Sequence, residues 1–192
     1  MFKEADLRES ALNSTPTADT LYGLFPASAD RSELEPISPS EMPEPYRQLL
    51  VHSHHMTVTV EEFYGQSVDV QVLEVARVGE TYARKIVLRL QETKKVVQFG
   101  LVSIDLSLLA TDVRSEIESG RTPLGRVLIQ HDVLRYIESA GYFKTWPTAK
   151  MCEWLQLPKP EMLYGRLGAI YTDGRPAIGV MEILSPCTAP GG

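Results

Sequence analysis

Residues 80–90 read ETYARKIVLRL. Side chains along a β-strand point alternately to opposite faces. Tyr82, Arg84, Ile86, Leu88 and Leu90 share one face, and Ala83, Lys85, Val87 and Arg89 share the other. The second set holds two cations and reads as the more solvated face. Arg84 therefore points with the apolar set. A guanidinium keeps its charge inside a core, and leaving it unpaired there costs on the order of several kcal/mol. Arg84 needs a buried anion.

The neighbouring segments repeat the alternation. SVDVQVLEV (67–75) precedes this stretch and KVVQFGLVSIDL (95–106) comes after it, joined by the short polar links ARVGE and QETKK. Short links between consecutive strands imply antiparallel pairing. Near the C-terminus, RLGAIYT (166–172) and RPAIGVMEIL (175–184) flank Asp173-Gly174, a type I′ hairpin signal. In the last of these strands Ile178, Val180, Glu182 and Leu184 share a face, and Ala177, Gly179, Met181 and Ile183 share the other. Both faces are apolar, so the strand reads as covered on both sides. Glu182 is then buried and, like Arg84, requires a partner.

Helical spacing appears between the strands. In MTVTVEEFYG (56–65), Val58 and Val60 alternate as in a strand, while Met56, Val60, Phe63 and Tyr64 fit i, i+4, i+7, i+8 with Gly65 as the stop, which favours a helix. LSLLATDVRSEIESG (106–120) places Leu109, Val113, Glu116 and Ile117 at helical spacing and stops at Gly120. TPLGRVLIQHDVLRYIESAGYF (122–143) reads as a second helical region, with Thr122 as N-cap and Pro123 at the first helical position. GYFKTWPTAKMCEWLQLPKPEMLYG (141–165) mixes aromatics and prolines and reads as a long crossover or surface loop. The fold class is α+β: a single antiparallel sheet with helices packed on one face.

Bulk properties limit the function. The 192 residues suit one domain with a full core. A formal charge of -6 gives no electrostatic footprint for nucleic acid, so local cations must capture any anionic substrate. The two cysteines, Cys152 and Cys187, form no CxxC pair and fit a reduced intracellular chain. No apolar run approaches the ~20 residues of a bilayer span, and MFKEADLRES has no apolar signal region. The expected location is the cytoplasm, with no membrane and no nucleic-acid partner. Residues 24–45, LFPASADRSELEPISPSEMPEP, are rich in proline, serine and acid, which excludes a long helix. Residues 1–45 read as a tail or surface wrap in which DTLYGLF (19–25) can dock as an apolar anchor.

Two readings of Arg84 and Glu182 compete. In one, they pair with each other. In the other, they stand at opposite ends of a pocket, Arg84 forking onto a ligand carboxylate and Glu182 accepting from a ligand hydroxyl or taking a proton. Gly100 interrupts a strand beside Val102 and Ile104, where it marks either a bulge or a close approach of ligand to backbone. LLVHSHHMT (49–57) holds three of the four histidines. It lacks HExxH spacing and adjacent carboxylate or thiolate ligands, so no metal is expected there.

Five elements, LLVHSHHMT, YARKIVL, VVQFGLVSI, RTPLGRVLI and GVMEILSP, stand in order across residues 46–186. In this arrangement the sequence resembles the bacterial chorismate pyruvate-lyases. The resemblance implies a chorismate-lyase-like antiparallel sheet over residues 46–192 with a buried site under flaps. It also implies cleavage of chorismate to 4-hydroxybenzoate and pyruvate without metal or organic cofactor, by a monomer or small homo-oligomer. On that resemblance Arg84 binds the ring carboxylate and Glu182 holds the 4-hydroxyl as base or anchor. The backbone around Gly100 and Leu124 adds hydrogen bonds, and Met56 lines the pocket. Leu101 stands where some lyases carry a basic residue, which leaves the second carboxylate of chorismate to Arg126, Lys85 or a histidine. Rival readings are a sensing domain of the same fold in a transcription regulator, or a lyase acting on a chorismate relative. The acidic, proline-rich N-terminal segment offers no helix-turn-helix for a regulator.

Overall fold

The structure is a computed structural model that describes residues 16–25, 29–133 and 135–187. Residues 1–15, which include the stretch read for a signal, lie outside it. Seven strands form one sheet in the order β1-β5-β6-β7-β4-β3-β2. They are β1 (Leu34–Ile37), β2 (Val68–Val78), β3 (Thr81–Leu90), β4 (Val96–Asp105), β5 (Arg135–Thr145), β6 (Leu163–Thr172) and β7 (Arg175–Leu184). Every neighbouring pair is antiparallel. The hairpin between β6 and β7 turns at Asp173 (φ 49°) and Gly174 (φ 75°), the two left-handed positions that a type I′ turn requires.

Three helices roof one face: α3 (Met56–Tyr64), α4 (Thr111–Ser119) and α5 (Leu124–Gln130). The helical stripe in 56–65 and the glycine stops are as expected from sequence, with Gly65 and Gly120 both left-handed, at φ 63° and 67°. This face carries Arg84, Ile86, Val102, Val180 and the buried residues of the roof, among them Met56, Val60, Ile117 and Val127. A shorter helix, α2 (Tyr46–Leu50), leads into the roof.

The opposite face is covered by smaller elements, α1 (Ala18–Tyr22) and α6 (Ala149–Leu155). Leu21, Tyr22 and Phe25 bury themselves against Ala83, Val87, Phe99 and Met181, each apolar side chain contributing roughly 1.5–3 kcal/mol. This corrects the reading of the Lys85 face as solvated. Lys85 is fully buried there, held by Asp30 at 2.8 Å and Glu74 at 2.9 Å, with its ammonium over Phe25 and Trp154. Asp30 comes from the N-terminal segment, and β1 of the same segment pairs with β5.

The helical reading of 122–143 fails after Gln130. Pro123 is the N-cap rather than the first helical residue, and Asp132 takes a positive φ of 49°, which ends the helix. The chain then continues as β5. A bulge between Ser139 and Gly141 shifts its register, so its alternation changes phase midway and Ile137 and Phe143 face opposite sides of the sheet. None of the described helices is long and apolar enough to cross a membrane.

Candidate binding site

The floor of the site is β3, β4 and β7. Arg84 lies opposite Val102, and Val102 opposite Val180. One step along, Ile86 lies opposite Gly100, and Gly100 opposite Glu182. Arg84 and Glu182 are thus two strands and two residues apart on one face, which at standard sheet spacings is about 12 Å between Cα atoms. The roof is the start of α3 (His55, Met56, Thr57) and the start of α5 (Leu124, Gly125). Between floor and roof lies a cavity of about 50 Å³, room for roughly four waters. Met56, Arg84, Gly100, Leu124 and Glu182, drawn from five separate segments, all line it.

The two roof pieces meet because position 125 is glycine. A Cβ there would stand 3.0 Å from both His55 Cβ and Thr57 Oγ1. Gly100 answers a floor constraint: a Cβ would meet Ile86 Cδ1 at 3.0 Å.

Arg84 is 1 % exposed. Its Nη1 donates to the Ile117 carbonyl of α4 at 3.2 Å, and its Nε is buried without a partner. Among the described residues no carboxylate lies within ion-pair distance of it. Burial pushes its pKa below the ordinary arginine value, opposed by the nearby Tyr82 hydroxyl; a guanidinium remains charged even so. Gln98 on β4 also lines the cavity and has its Oε1 buried without a partner. Among the described residues the floor therefore presents a cation without a carboxylate partner and an unfilled acceptor.

Glu182 does not pair with Arg84. Its Oε2 accepts from Arg166 Nε of β6 at 2.7 Å, which leaves Oε1 for the cavity. Of the three candidates for a second anion contact, Lys85 is on the far face. Arg126 is paired with Glu61 outside the cavity and also reaches the Val68 carbonyl. His55 is the one that lines the site.

The histidine cluster is used to shape a loop. His52 Nδ1 accepts from the His54 backbone N–H at 3.0 Å, and His52 Nε2 lies 2.7 Å from the Leu49 carbonyl. Burial, with the Arg166 charge adding to it, lowers the His52 pKa to about 4, so the ring is neutral near pH 7. Among the described residues no group of three or more His, Cys, Asp or Glu side chains is arranged to hold a metal ion.

Sequence reading missed Arg166, Gln98 and Gly125. Arg166 was open to the argument applied to Arg84: it alternates with Tyr164, Gly168 and Ile170, a charge within an apolar set. Nothing local marks Gln98 or Gly125, whose roles depend on which segments meet above and beside them.

No protein-family model matches the chain, and no curated protein does. Solved structures give remote similarities. The gene product SA0254 from Staphylococcus aureus is 12 % identical and aligns over 62 % of this chain and 82 % of its own, with a TM-score of 0.47. The possible transcriptional regulator YydK from Bacillus subtilis is 12 % identical over 66 % of this chain and 59 % of its own, TM-score 0.43. PhnF from Mycobacterium smegmatis is 12 % identical over 94 % and 92 %, TM-score 0.43.

Proposed function

We propose that the cavity binds a small ring carboxylate bearing a hydroxyl, and that its ligand is chorismate, cleaved to 4-hydroxybenzoate and pyruvate. The observation that carries this reading is Arg84: a buried guanidinium with an unfilled Nε and no carboxylate partner among the described residues, aimed into a cavity whose other end holds Glu182. An acid on Arg84 and a hydroxyl on Glu182 Oε1 span the floor. Gly100 and the apolar Ile86, Val102 and Val180 lie beneath the ring. The second carboxylate of chorismate falls to the roof, beside His55 and the first turn of α3.

The chemistry asks little more of the protein. Loss of the C4 hydrogen and the C3 enolpyruvyl ether makes a phenol, so aromatisation drives the elimination. The site has to hold one conformer, dry and charge-compensated. With Oε2 on Arg166, Glu182 serves as anchor, and the enolpyruvyl group takes the C4 proton as it leaves.

A second reading, ligand sensing without turnover, is favoured by the same Glu182–Arg166 pair, which keeps the Glu182 carboxylate engaged. Incubation with chorismate, with and without a chelator, separates the two. Equimolar pyruvate and 4-hydroxybenzoate in both conditions supports the lyase. Tight binding of chorismate with no product supports the sensor. No binding of either compound removes both.

A further inference from the structure

We infer that Arg166 is a positioning residue that couples Glu182, at one end of the cavity, to the loop that leads into its roof. This rests on the binding reading above. Arg166 lies directly across the sheet from Glu182 and is 2 % exposed. Its Nε donates to Glu182 Oε2 at 2.7 Å. Its Nη1 donates to the carbonyls of Leu50 at 3.1 Å and His52 at 2.9 Å, and its Nη2 to the carbonyl of His54 at 3.2 Å. All three carbonyls belong to one stretch, residues 50–54, which runs directly into His55, Met56 and Thr57 of the roof. The loop is wrapped on the guanidinium, and His52, neutral beside that cation, fixes its turn.

The end of this loop borders the outside of the site. Ser53, His54 and His55 line an outer groove of about 530 Å³ together with Asp132, Val133 and Ile137. His55 lines both the groove and the cavity. A ring acid of about ten heavy atoms needs more than the space of roughly four waters. It enters only if the roof shifts, and the roof residue that also faces the groove, His55, follows directly on the stretch Arg166 holds.

Arg166 divides its donors between one carboxylate and three carbonyls. A ligand hydroxyl that donates to Glu182 draws carboxylate charge toward itself and frees the guanidinium to bind the loop more strongly. Such coupling is reciprocal: the hydroxyl orders the loop, and the ordered loop strengthens the hydroxyl contact. A ligand without the hydroxyl fills the cavity but leaves the loop less held.

Hydrogen exchange of the full chain, read on peptides covering residues 50–57, tests this. Arg166→Lys keeps a charge for Glu182, but its ammonium lacks the fork that spans the three carbonyls. In the ligand-free proteins the loop should exchange roughly tenfold or more faster in Arg166→Lys, about the factor for one charge-assisted hydrogen bond. Peptides of β3 and β4 should be unchanged. In wild type, 4-hydroxybenzoate at saturation should slow loop exchange more than benzoate does, and this difference should vanish in Arg166→Lys. Unchanged loop exchange in the ligand-free variant overturns the inference. Equal loss of protection in β3 and β4 does so too, because Arg166 would then be holding up the whole fold. The wild-type comparison needs no variant, and equal protection by the two ring acids also overturns the coupling. If neither acid binds wild type, the binding reading fails, while the ligand-free comparison still decides whether Arg166 holds the loop.

Discussion

Replacing Arg84 by methionine should make the protein more stable and unable to bind its ligand. The substitution removes a guanidinium that is 1 % exposed and has no carboxylate within reach among the described residues. Replacing buried charge by an apolar side chain of similar volume is often stabilising, by about 1–4 kcal/mol. Against this stands the Nη1 bond to the Ile117 carbonyl at 3.2 Å, whose loss costs about 1 kcal/mol. The net gain is up to roughly 3 kcal/mol, which in a domain of this size raises Tm by up to about 12 °C. On the binding side, two charge-assisted hydrogen bonds to a carboxylate disappear, about 3 kcal/mol or more, so affinity should fall at least ~100-fold. Thermal denaturation in a buffer free of carboxylates and phosphate gives the first quantity, because any anion on Arg84 stabilises wild type by mass action. Calorimetric titration with 4-hydroxybenzoate gives the second. A variant less stable than wild type, with undiminished affinity, would show that Arg84 is a structural residue satisfied by the fold.

Glu182→Gln should retain at least a tenth of wild-type turnover on chorismate if Glu182 is an anchor, and fall at least ~100-fold if it is the base; steady-state kinetics decides. The same change strips Arg166 of its counter-charge and should lower stability by about 3 kcal/mol or more, read by denaturant unfolding. Gly125→Ala pushes a methyl to 3.0 Å from His55 and Thr57; spreading the roof should cost about 1–3 kcal/mol, measured as the loss of binding and stability together. His131 has its pKa raised, by the Glu116 hydrogen bond and then by the Asp112 charge. Its contribution to stability is full below about pH 6.5 and is lost as pH rises through the folded-state pKa. His52 has the opposite sign: its pKa is lowered to about 4, so its contribution is present above about pH 6.5 and lost as pH falls toward 4. Tm against pH for His131→Gln should lose only the decline on the alkaline side.

Much of the site was legible because its chemistry interrupts a pattern. Arg84 and Glu182 each place a charge within an apolar alternating set, and strands β2, β3, β4 and the β6–β7 hairpin are readable from period and turn residues alone. Strand β5 was hidden because its bulge changes the phase of the alternation. In sequence its early residues also prolong the helical spacing of α5, although the helix itself ends at Gln130. Lys85 was misread because sequence does not show that the N-terminal segment and α6 cover its face and supply Asp30. The histidine stretch shapes a loop: the His52 ring nitrogens and the His52 and His54 carbonyls are spent on its geometry. That is a consequence of Arg166, more than a hundred residues away in the chain.

A crystal structure of the chain with 4-hydroxybenzoate tests the central claim most directly. The expected result is the ring in the cavity between floor and roof, its carboxylate on the Arg84 guanidinium and its hydroxyl on Glu182, with residues 50–54 still wrapped on Arg166. A ring bound outside the cavity, or in the cavity with its carboxylate turned away from Arg84, would contradict it.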